Sequence, residues 1–279
     1  MAEESIIGSV LGFFIFIFSY KGFKDPQFYE QYIFDVDKIL IDGEYKRMLT
    51  SGFLHGSWWH LIFNVIALLS FSGEIEYEFG PLRYLLIYFG SLIGGSLLAL
   101  YIHRNHGDYR AIGASGAISG LILSFVVLAP NSSISFIFLP IEIKSWVFAL
   151  LFVLVSILGI KYQRDNIGHE AHLGGAIIGV LITIGLKLSV IKEHPWVVAG
   201  ILGPSILFLL LIIRHPEILM IDHYWGETVD RIRLGIKQKP ERMSREEELD
   251  MLLEKVRKKG LNSLSGKERK RLDELSNTQ

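Results

Sequence analysis

The sequence predicts an all-α, polytopic membrane helix bundle followed by a small helical C-terminal tail. Half of its 279 residues are hydrophobic, only 20% are charged and the mean hydropathy is +0.37, a combination that ordinary soluble domains do not have. The charges are also unevenly distributed, because residues 214–279 carry 28 of the 57 charged side chains. We therefore expect a transmembrane domain over residues 1–213 and a soluble, charged tail over residues 214–279.

The composition excludes several classes of function. The balance of 28 basic and 29 acidic residues gives no net field that would attract nucleic acid, and the tail, with 15 basic and 13 acidic residues, has no strong basic patch. Because the chain has no cysteine, disulfides, thiolate metal sites and cysteine catalysis are excluded. The expected surroundings are the lipid bilayer, and no nucleic-acid partner is expected.

Seven apolar stretches are candidate membrane helices. The first, residues 6–20, follows acidic Glu3 and Glu4 and precedes no small-residue cleavage motif, so we interpret it as a span and not as a removable signal peptide. Extended by one turn, it reaches the roughly 20 residues that cross a bilayer core. Several later stretches contain Gly and polar residues, which indicates helices packed against one another. These stretches are 58–71, 84–102, 115–129, 146–160, 172–188 and 196–213.

The sequence of the tail predicts a helical hairpin over about residues 244–276. Ser244 and Glu247 have the spacing of a capping box, and apolar residues follow them at helical spacing. Ser265 and Glu268 repeat that spacing before a second, shorter helix. Because so small a core is rarely stable alone, two interpretations stay open: a solvated, partly ordered segment, or a module that docks onto a protein partner.

Ser115 is the first candidate for catalysis, since polar groups in apolar helices are costly and often functional. It lies between Gly113 and Gly116, where a polar loop enters an apolar stretch. At a helix start, free backbone N–H groups and the helix dipole can stabilise an oxyanion. A serine there is more often only a helix cap, so a catalytic interpretation requires a nearby base.

His172 is the candidate base. It opens the sixth apolar stretch, where Gly175 and Gly179 lie four residues apart, the same spacing as the glycines after Ser115. Two small-residue faces can pack closely, which would bring the serine hydroxyl and the imidazole within hydrogen-bond reach. The alternative is a helix-packing motif that carries an interfacial histidine.

His60 and Asn64 form the third polar cluster. At positions i and i+4 of a helix they project from one face and could donate hydrogen bonds into one pocket, as an oxyanion hole requires. The alternative is an interfacial belt of Trp58 and Trp59, with Asn64 bonded to another helix.

A metal site is the rival use of the histidines. His55, His60, His169 and His172 are the available ligands, and Glu170 lies between the last two. Their spacing does not match the metalloprotease pattern of two histidines with a helix-borne base between them, so no metal is expected.

Taken together in this order, the three clusters resemble the rhomboid intramembrane serine proteases. The resemblance runs from about Glu44 to Gly179, and Glu76-x-x-x-Gly80 is similar to the family's turn from the second into the third helix. The matching motifs are His55-x-x-x-x-His60-x-x-x-Asn64, Gly113-x-Ser115-Gly116 and Ala171-His172-x-x-Gly175-x-x-x-Gly179.

The resemblance implies a six-helix core and a Ser-His dyad that needs no cofactor. Ser115 would be the nucleophile, His172 the general base, and His60 and Asn64 would bind the oxyanion with the Ser115 backbone N–H. His55 would be structural and hydrogen-bonded to the loop before the second helix. The substrates would be transmembrane proteins, cleaved in or near their membrane segments.

Two positions depart from the family pattern. Lys46 precedes Arg47 where the family often has Trp-Arg, and Ser119 stands where an aromatic residue commonly lies near the histidine. Because neither change removes a reacting group, we expect activity. The alternatives are a non-proteolytic rhomboid-like protein that binds membrane helices and a small transporter. No inverted repeat supports the transporter.

The expected location is the inner membrane of a bacterium, with several membrane passes. With the N-terminus inside, the outer loops would carry 9 Lys and Arg and the inner loops 4, so the positive-inside rule opposes the orientation that the resemblance implies. We follow the family's orientation. The stretch 196–213 either spans as a seventh helix, which puts the tail outside, or lies in the interface, which returns the tail to the cytoplasm.

Overall fold

The computed structural model describes residues 5–136, 139–162 and 167–219, and in the tail residues 253, 255–257 and 272. The chain divides into two compact units, Met1–Gly226 and Glu227–Gln279. The description below concerns the first unit. The predicted hairpin at 244–276 lies outside the described residues except at those few positions, and the predicted boundary at 213 and 214 stays a prediction.

The described residues of the first unit are mainly helical. Two-stranded antiparallel sheets pair β1 with β2 and β3 with β4. Single 3-10 turns lie at Ser51–Phe53 and Pro216–Ile218. In chain order the elements are α1 (Ile6–Lys24), α2 (Pro26–Tyr32), β1 (Phe34–Asp35), α3 (Val36–Leu40), α4 (Arg47–Thr50), α5 (Trp58–Phe79), α6 (Pro81–His103), β2 (Arg110–Ala111), α7 (Ser115–Leu128), β3 (Ser133–Phe136), β4 (Leu139–Lys144), α8 (Ser145–Tyr162), α9 (His169–Leu186), α10 (Ser189–Glu193) and α11 (Pro195–Arg214).

Each of the seven apolar stretches forms a helix, and the predicted membrane bundle is confirmed. Among the described residues, six helices (α1, α5, α6, α8, α9 and α11) are long and apolar enough to cross a membrane. The stretch at 196–213 is one of these, as the 20-residue helix α11, which packs against α8 and α9. The chain is therefore an integral, multi-pass membrane protein.

Helix α7 is the short, central helix of the bundle. Its 14 residues rise only about 21 Å, less than a bilayer core of about 30 Å. Most of its residues are buried, because α5, α6, α8 and α9 all contact it. A helix of this length is too short to cross the bilayer core by itself.

Glycine permits the closest contacts around α7. A Cβ atom on Gly175 would overlap the carbonyl oxygen of Gly116, and one on Gly179 would lie 2.5 Å from the Cα atom of Gly120. On the neighbouring helix α6, a Cβ atom on Gly95 would overlap the backbone of α9. Helices α6, α7 and α9 therefore meet with their backbones almost in contact, as small residues allow in membranes.

The turn between α5 and α6 forms where the sequence places it. Gly80 has φ +76° and its N–H donates to the carbonyl of Glu76, which ends α5. The Glu76 carboxylate also accepts hydrogen bonds from the Ser5 hydroxyl and from the Ile7 N–H, 3.0 Å away, at the start of α1. One residue therefore ties the end of the second span to the beginning of the first.

The long segment between α1 and α5 has more structure than its sequence indicates. Strand β1 pairs with β2, so this segment is hydrogen-bonded to the residues that lead into α7. The buried Arg47 side chain donates to the carbonyls of Glu30 and Ile33, each at 2.8 Å. These short elements depend on pairing across the chain, which local residue patterns do not reveal. The pairing of β3 with β4, between α7 and α8, was not predicted from the sequence either.

The glycine contacts generate a prediction about stability. We expect Gly179→Ala to lower the stability of the protein in detergent by about 1–3 kcal/mol, because the added methyl group forces α9 away from α7. Gly185→Ala is the matched control on the same helix, since its Cβ meets nothing within 4 Å and alanine favours the helix by up to about 1 kcal/mol. Thermal unfolding of both variants measures the difference; equal stabilities would contradict the close contact.

Candidate active site

Ser115 is the first residue of α7. Two residues before it lies Gly113, at a position that only glycine can occupy without strain. Gly113 has φ +118°, and a Cβ there would lie 2.9 Å from the His60 ring. The Gly113 N–H donates to the carbonyl of Ser51, which holds the turn in place. The N-cap position belongs to Ala114, so the Ser115 hydroxyl does not serve as the cap of α7.

The Ser115 hydroxyl and the His172 imidazole are in hydrogen-bond contact. His172 Nε2 lies 2.7 Å from Ser115 Oγ, and the two residues come from α9 and α7. Both side chains are partly exposed to a cavity of about 900 Å³. This distance is the one that a base requires to take the proton of a hydroxyl nucleophile.

The surroundings of His172 differ from the family pattern at one position. Ser119 donates its hydroxyl to the Ser115 carbonyl, 2.7 Å away, and contributes no ring. The aromatic neighbour comes from another helix, because the Phe152 ring on α8 lies 6.3 Å from the His172 ring, centroid to centroid. Phe152 could not be recognised from the sequence, since one aromatic residue in an apolar helix carries no distinguishing signal.

His60 and Asn64 line the same cavity from α5. Ser57 caps this helix by accepting a hydrogen bond from the His60 N–H, 3.2 Å away. Asn64 donates from Nδ2 to the His60 carbonyl at 2.8 Å, so one of its two amide hydrogens is held by its own helix. The other amide hydrogen is available for a bond into the cavity.

His55 lies behind the cavity and is fully buried. Its Nδ1 lies 2.9 Å from the Ser19 hydroxyl of α1, and the Ala114 N–H donates to its Nε2 at 3.5 Å. Its bonds therefore run to α1 and to the residue before Ser115, whereas the sequence led us to expect a bond to the loop before α5. Burial, with a smaller effect of His60, lowers the pKa of His55 to about 3, so the ring stays neutral and can accept from Ala114.

The cavity also contains polar residues that the sequence did not identify as site residues. His103, Tyr109 and Glu170 line it, and the Tyr109 hydroxyl donates to the Glu170 carboxylate. Burial and the adjacent carboxylate raise the pKa of Tyr109 well above its usual value, which keeps the hydroxyl protonated as a donor. Glu170 was considered only as a metal ligand. No group of three or more His, Asp or Glu side chains close enough to hold a metal ion occurs among the described residues.

The cavity therefore combines the components of acyl transfer. It contains a hydroxyl in contact with an imidazole, a helix N-terminus with free N–H groups, and two side chains that can donate hydrogen bonds. Such donors stabilise the negative charge that develops on a carbonyl oxygen under nucleophilic attack.

Comparisons with known proteins cover both parts of the chain. Residues 42–188 match the Rhomboid domain, and residues 237–278 match a family of unknown function, DUF6576. The chain is 34% identical over 144 residues to the putative rhomboid protease YdcA of Bacillus subtilis, which covers 51% of this chain and 67% of that protein.

Two further relatives match the chain at 31% and 29% identity. The chain is 31% identical over 150 residues to Rhomboid protein 1, mitochondrial, of Saccharomyces cerevisiae (53% of this chain, 43% of that protein). It is 29% identical over 177 residues to the rhomboid protease GluP of Bacillus subtilis (63% of this chain, 31% of that protein). The matched region thus spans less than half the length of these two relatives.

The depressed pKa of His55 predicts a pH dependence of stability. Between its ordinary pKa of 6.5 and the folded value of about 3, the unfolded chain binds one more proton than the folded protein, so stability falls as the pH falls through this window. From pH 7 to pH 5 the loss from this residue is about 2 kcal/mol. His55→Gln cannot be protonated and should lose this part of the pH dependence.

Chemical unfolding in detergent at pH 7 and pH 5 measures this effect. His194→Gln, at a partly exposed position between α10 and α11, is the control and should keep the wild-type pH dependence. An unchanged dependence in His55→Gln would show that the buried ring is not the source.

Proposed function

This chain belongs to the rhomboid family, and from that premise we propose that it is an intramembrane serine endopeptidase. It would hydrolyse peptide bonds in or beside the transmembrane segments of other membrane proteins. The observation that carries the proposal is the 2.7 Å approach of His172 Nε2 to Ser115 Oγ inside a cavity that His60 and Asn64 also line. That relatives in Bacillus subtilis are named proteases supports the same conclusion.

The acylation step assigns one role to each member of the dyad. His172 takes the hydroxyl proton while Ser115 Oγ forms a bond to the substrate carbonyl carbon, which gives a tetrahedral intermediate. When the C–N bond breaks, the imidazolium returns its proton to the departing amine. The remaining acyl group is an ester on Ser115. Water, deprotonated by His172, then attacks this ester; the C–Oγ bond breaks, the imidazolium returns its proton to Ser115 Oγ, and the second product leaves as a carboxylic acid.

The oxyanion of each intermediate would be bound at the start of α7. The Ser115 N–H is one of the helix N-terminal donors, and the free amide hydrogen of Asn64 and the ring of His60 supply further hydrogen bonds. Because these groups are held by their helices before substrate arrives, little reorganisation is needed during the reaction.

The substrate must unwind locally before it can react. In a helix each carbonyl is hydrogen-bonded to an amide four residues away, and the bilayer offers no water to replace that bond. The cavity offers polar partners to an extended segment. We therefore expect small or helix-destabilising residues around the cleaved bond.

The location and the tail complete the proposal. We place the protein in the inner membrane of a bacterium, although its relatives also include a mitochondrial protein. The tail, which matches a family of unknown function, would supply a docking module for a protein partner.

The first prediction concerns the dyad. Wild-type protein should react with a fluorophosphonate probe and cleave a model transmembrane substrate, and Ser115→Ala and His172→Ala should abolish both activities. Ser70→Ala and His194→Ala, which change an exposed serine of α5 and a partly exposed histidine, should behave as wild type. Absence of labelling and cleavage in folded wild-type protein would overturn the protease proposal and favour a protein that only binds membrane helices.

The second prediction concerns the oxyanion. Asn64→Ala should lower kcat on the order of 100-fold with little change in KM, because the lost hydrogen bond forms mainly in the transition state. Asn131→Ala, at an exposed position after α7, is the control. An increase in KM at unchanged kcat would instead assign Asn64 to binding of the ground state.

A further inference from the structure

A buried hydrogen bond joins two parts of the chain beside the dyad. The Tyr109 hydroxyl donates to Glu170 Oε1, and the two residues are 61 positions apart. The Glu170 side chain is only 5% exposed. Burying a carboxylate in an apolar bundle is costly unless it is paired and hydrogen-bonded. The bond from Tyr109 therefore offsets part of the cost of burying Glu170.

The position of this bond along the chain is informative. Tyr109 lies six residues before Ser115, immediately before β2, and Glu170 lies two residues before His172 in the first turn of α9. The bond therefore connects the segment that leads to the serine with the helix turn that carries the histidine. The glycine residues of α7 and α9 also bring these two segments into contact, further along the helices.

Tyr109 is itself held by contacts of its ring and of its backbone carbonyl, in addition to the bond from its hydroxyl. Its ring stacks on the His103 ring with centroids 3.5 Å apart and an interplanar angle of 7°. Its carbonyl accepts from the Val36 N–H at 3.2 Å, beside the β1–β2 pair. His103 Nε2 also lies 3.4 Å from Glu170 Oε1, so the carboxylate is contacted from both α6 and the loop after it. Because these contacts fix Tyr109, its hydroxyl can in turn fix the position of Glu170.

We propose that Tyr109 and Glu170 are positioning residues that set the distance between Ser115 and His172. This inference rests on the proposed proteolytic function. The glycine contacts allow α7 and α9 to approach, and the Tyr109–Glu170 bond fixes the first turn of α9 relative to the loop that enters α7. Small displacements of reacting groups are expensive, since a misplacement of about 1 Å can lower a rate by about 100-fold.

At position 170, the length of the side chain and its charge can be varied separately. Glu170→Gln removes the charge but keeps an oxygen at the same reach, so the amide carbonyl can still accept from Tyr109. Glu170→Asp keeps the charge but shortens the side chain by one methylene, so the bond to Tyr109 is lost. A positioning role therefore predicts that Gln preserves activity better than Asp, whereas an electrostatic role predicts the reverse order.

The experiment uses the full chain in detergent or liposomes. We expect Tyr109→Phe and Glu170→Asp to lower both kcat and the rate of fluorophosphonate labelling about tenfold or more, with KM unchanged, while Glu170→Gln stays within about threefold of wild type. The pH profile of kcat should keep its midpoint in Glu170→Gln. Tyr101→Phe, on an exposed ring at the end of α6, is the matched control and should equal wild type.

The outcomes distinguish this inference from the proposed function. If wild-type protein neither labels nor cleaves, the proposed function fails and this inference fails with it. If wild type is active and Tyr109→Phe equals Tyr101→Phe, or if Glu170→Asp is more active than Glu170→Gln, or if the pH midpoint moves in Glu170→Gln, the positioning role is overturned. Should Tyr109→Phe unfold on thermal analysis, the order of the two Glu170 variants still decides.

Discussion

The near-contact of two helix backbones, α7 and α9, is the constraint on which the rest of the site depends. Within a bilayer, water does not drive helices together, so their association relies on van der Waals packing and on hydrogen bonds between them. A Cβ atom on Gly175 would overlap the Gly116 carbonyl oxygen, and one on Gly179 would lie 2.5 Å from the Cα atom of Gly120. Ser115 directly precedes Gly116 and His172 lies three residues before Gly175, so the Ser115 hydroxyl and the His172 ring consequently meet at 2.7 Å. The short distance between the hydroxyl and the ring therefore depends on glycine, because the missing side chains let the two helices approach each other.

Polar groups in this bundle are held by other polar groups outside the cavity. His55 is held by Ser19 of the first span and accepts from the residue before Ser115. Arg47 binds two carbonyls of the long segment between α1 and α5, and β1 pairs that segment with the strand before α7. Because unsatisfied polar groups are costly in an apolar body, each of these bonds stabilises the bundle around Ser115 and His172.

Several features could be predicted from residue patterns and several could not. The seven apolar stretches, the turn at Gly80 and the meeting of Ser115, His172, His60 and Asn64 in one cavity follow from hydropathy and motif spacing. Tyr109 and Phe152 were missed, because a tyrosine in a polar loop and a phenylalanine in an apolar helix are common everywhere. The pairing of β1 with β2 was missed because two-residue strands have no periodicity to read.

The sequence by itself determined that this protein is a membrane helix bundle, where its seven apolar helices lie and which polar residues lie in or beside them. Hydropathy and spacing suffice for this, since both are local properties of the chain and a bilayer imposes a simple length and polarity on each span. Only the tertiary structure decided which groups touch. Ser115 and His172 are 57 positions apart and Tyr109 and Glu170 are 61 apart, so their contacts depend on how α6, α7 and α9 pack. That packing is set by steric fit between distant surfaces, which no local pattern encodes.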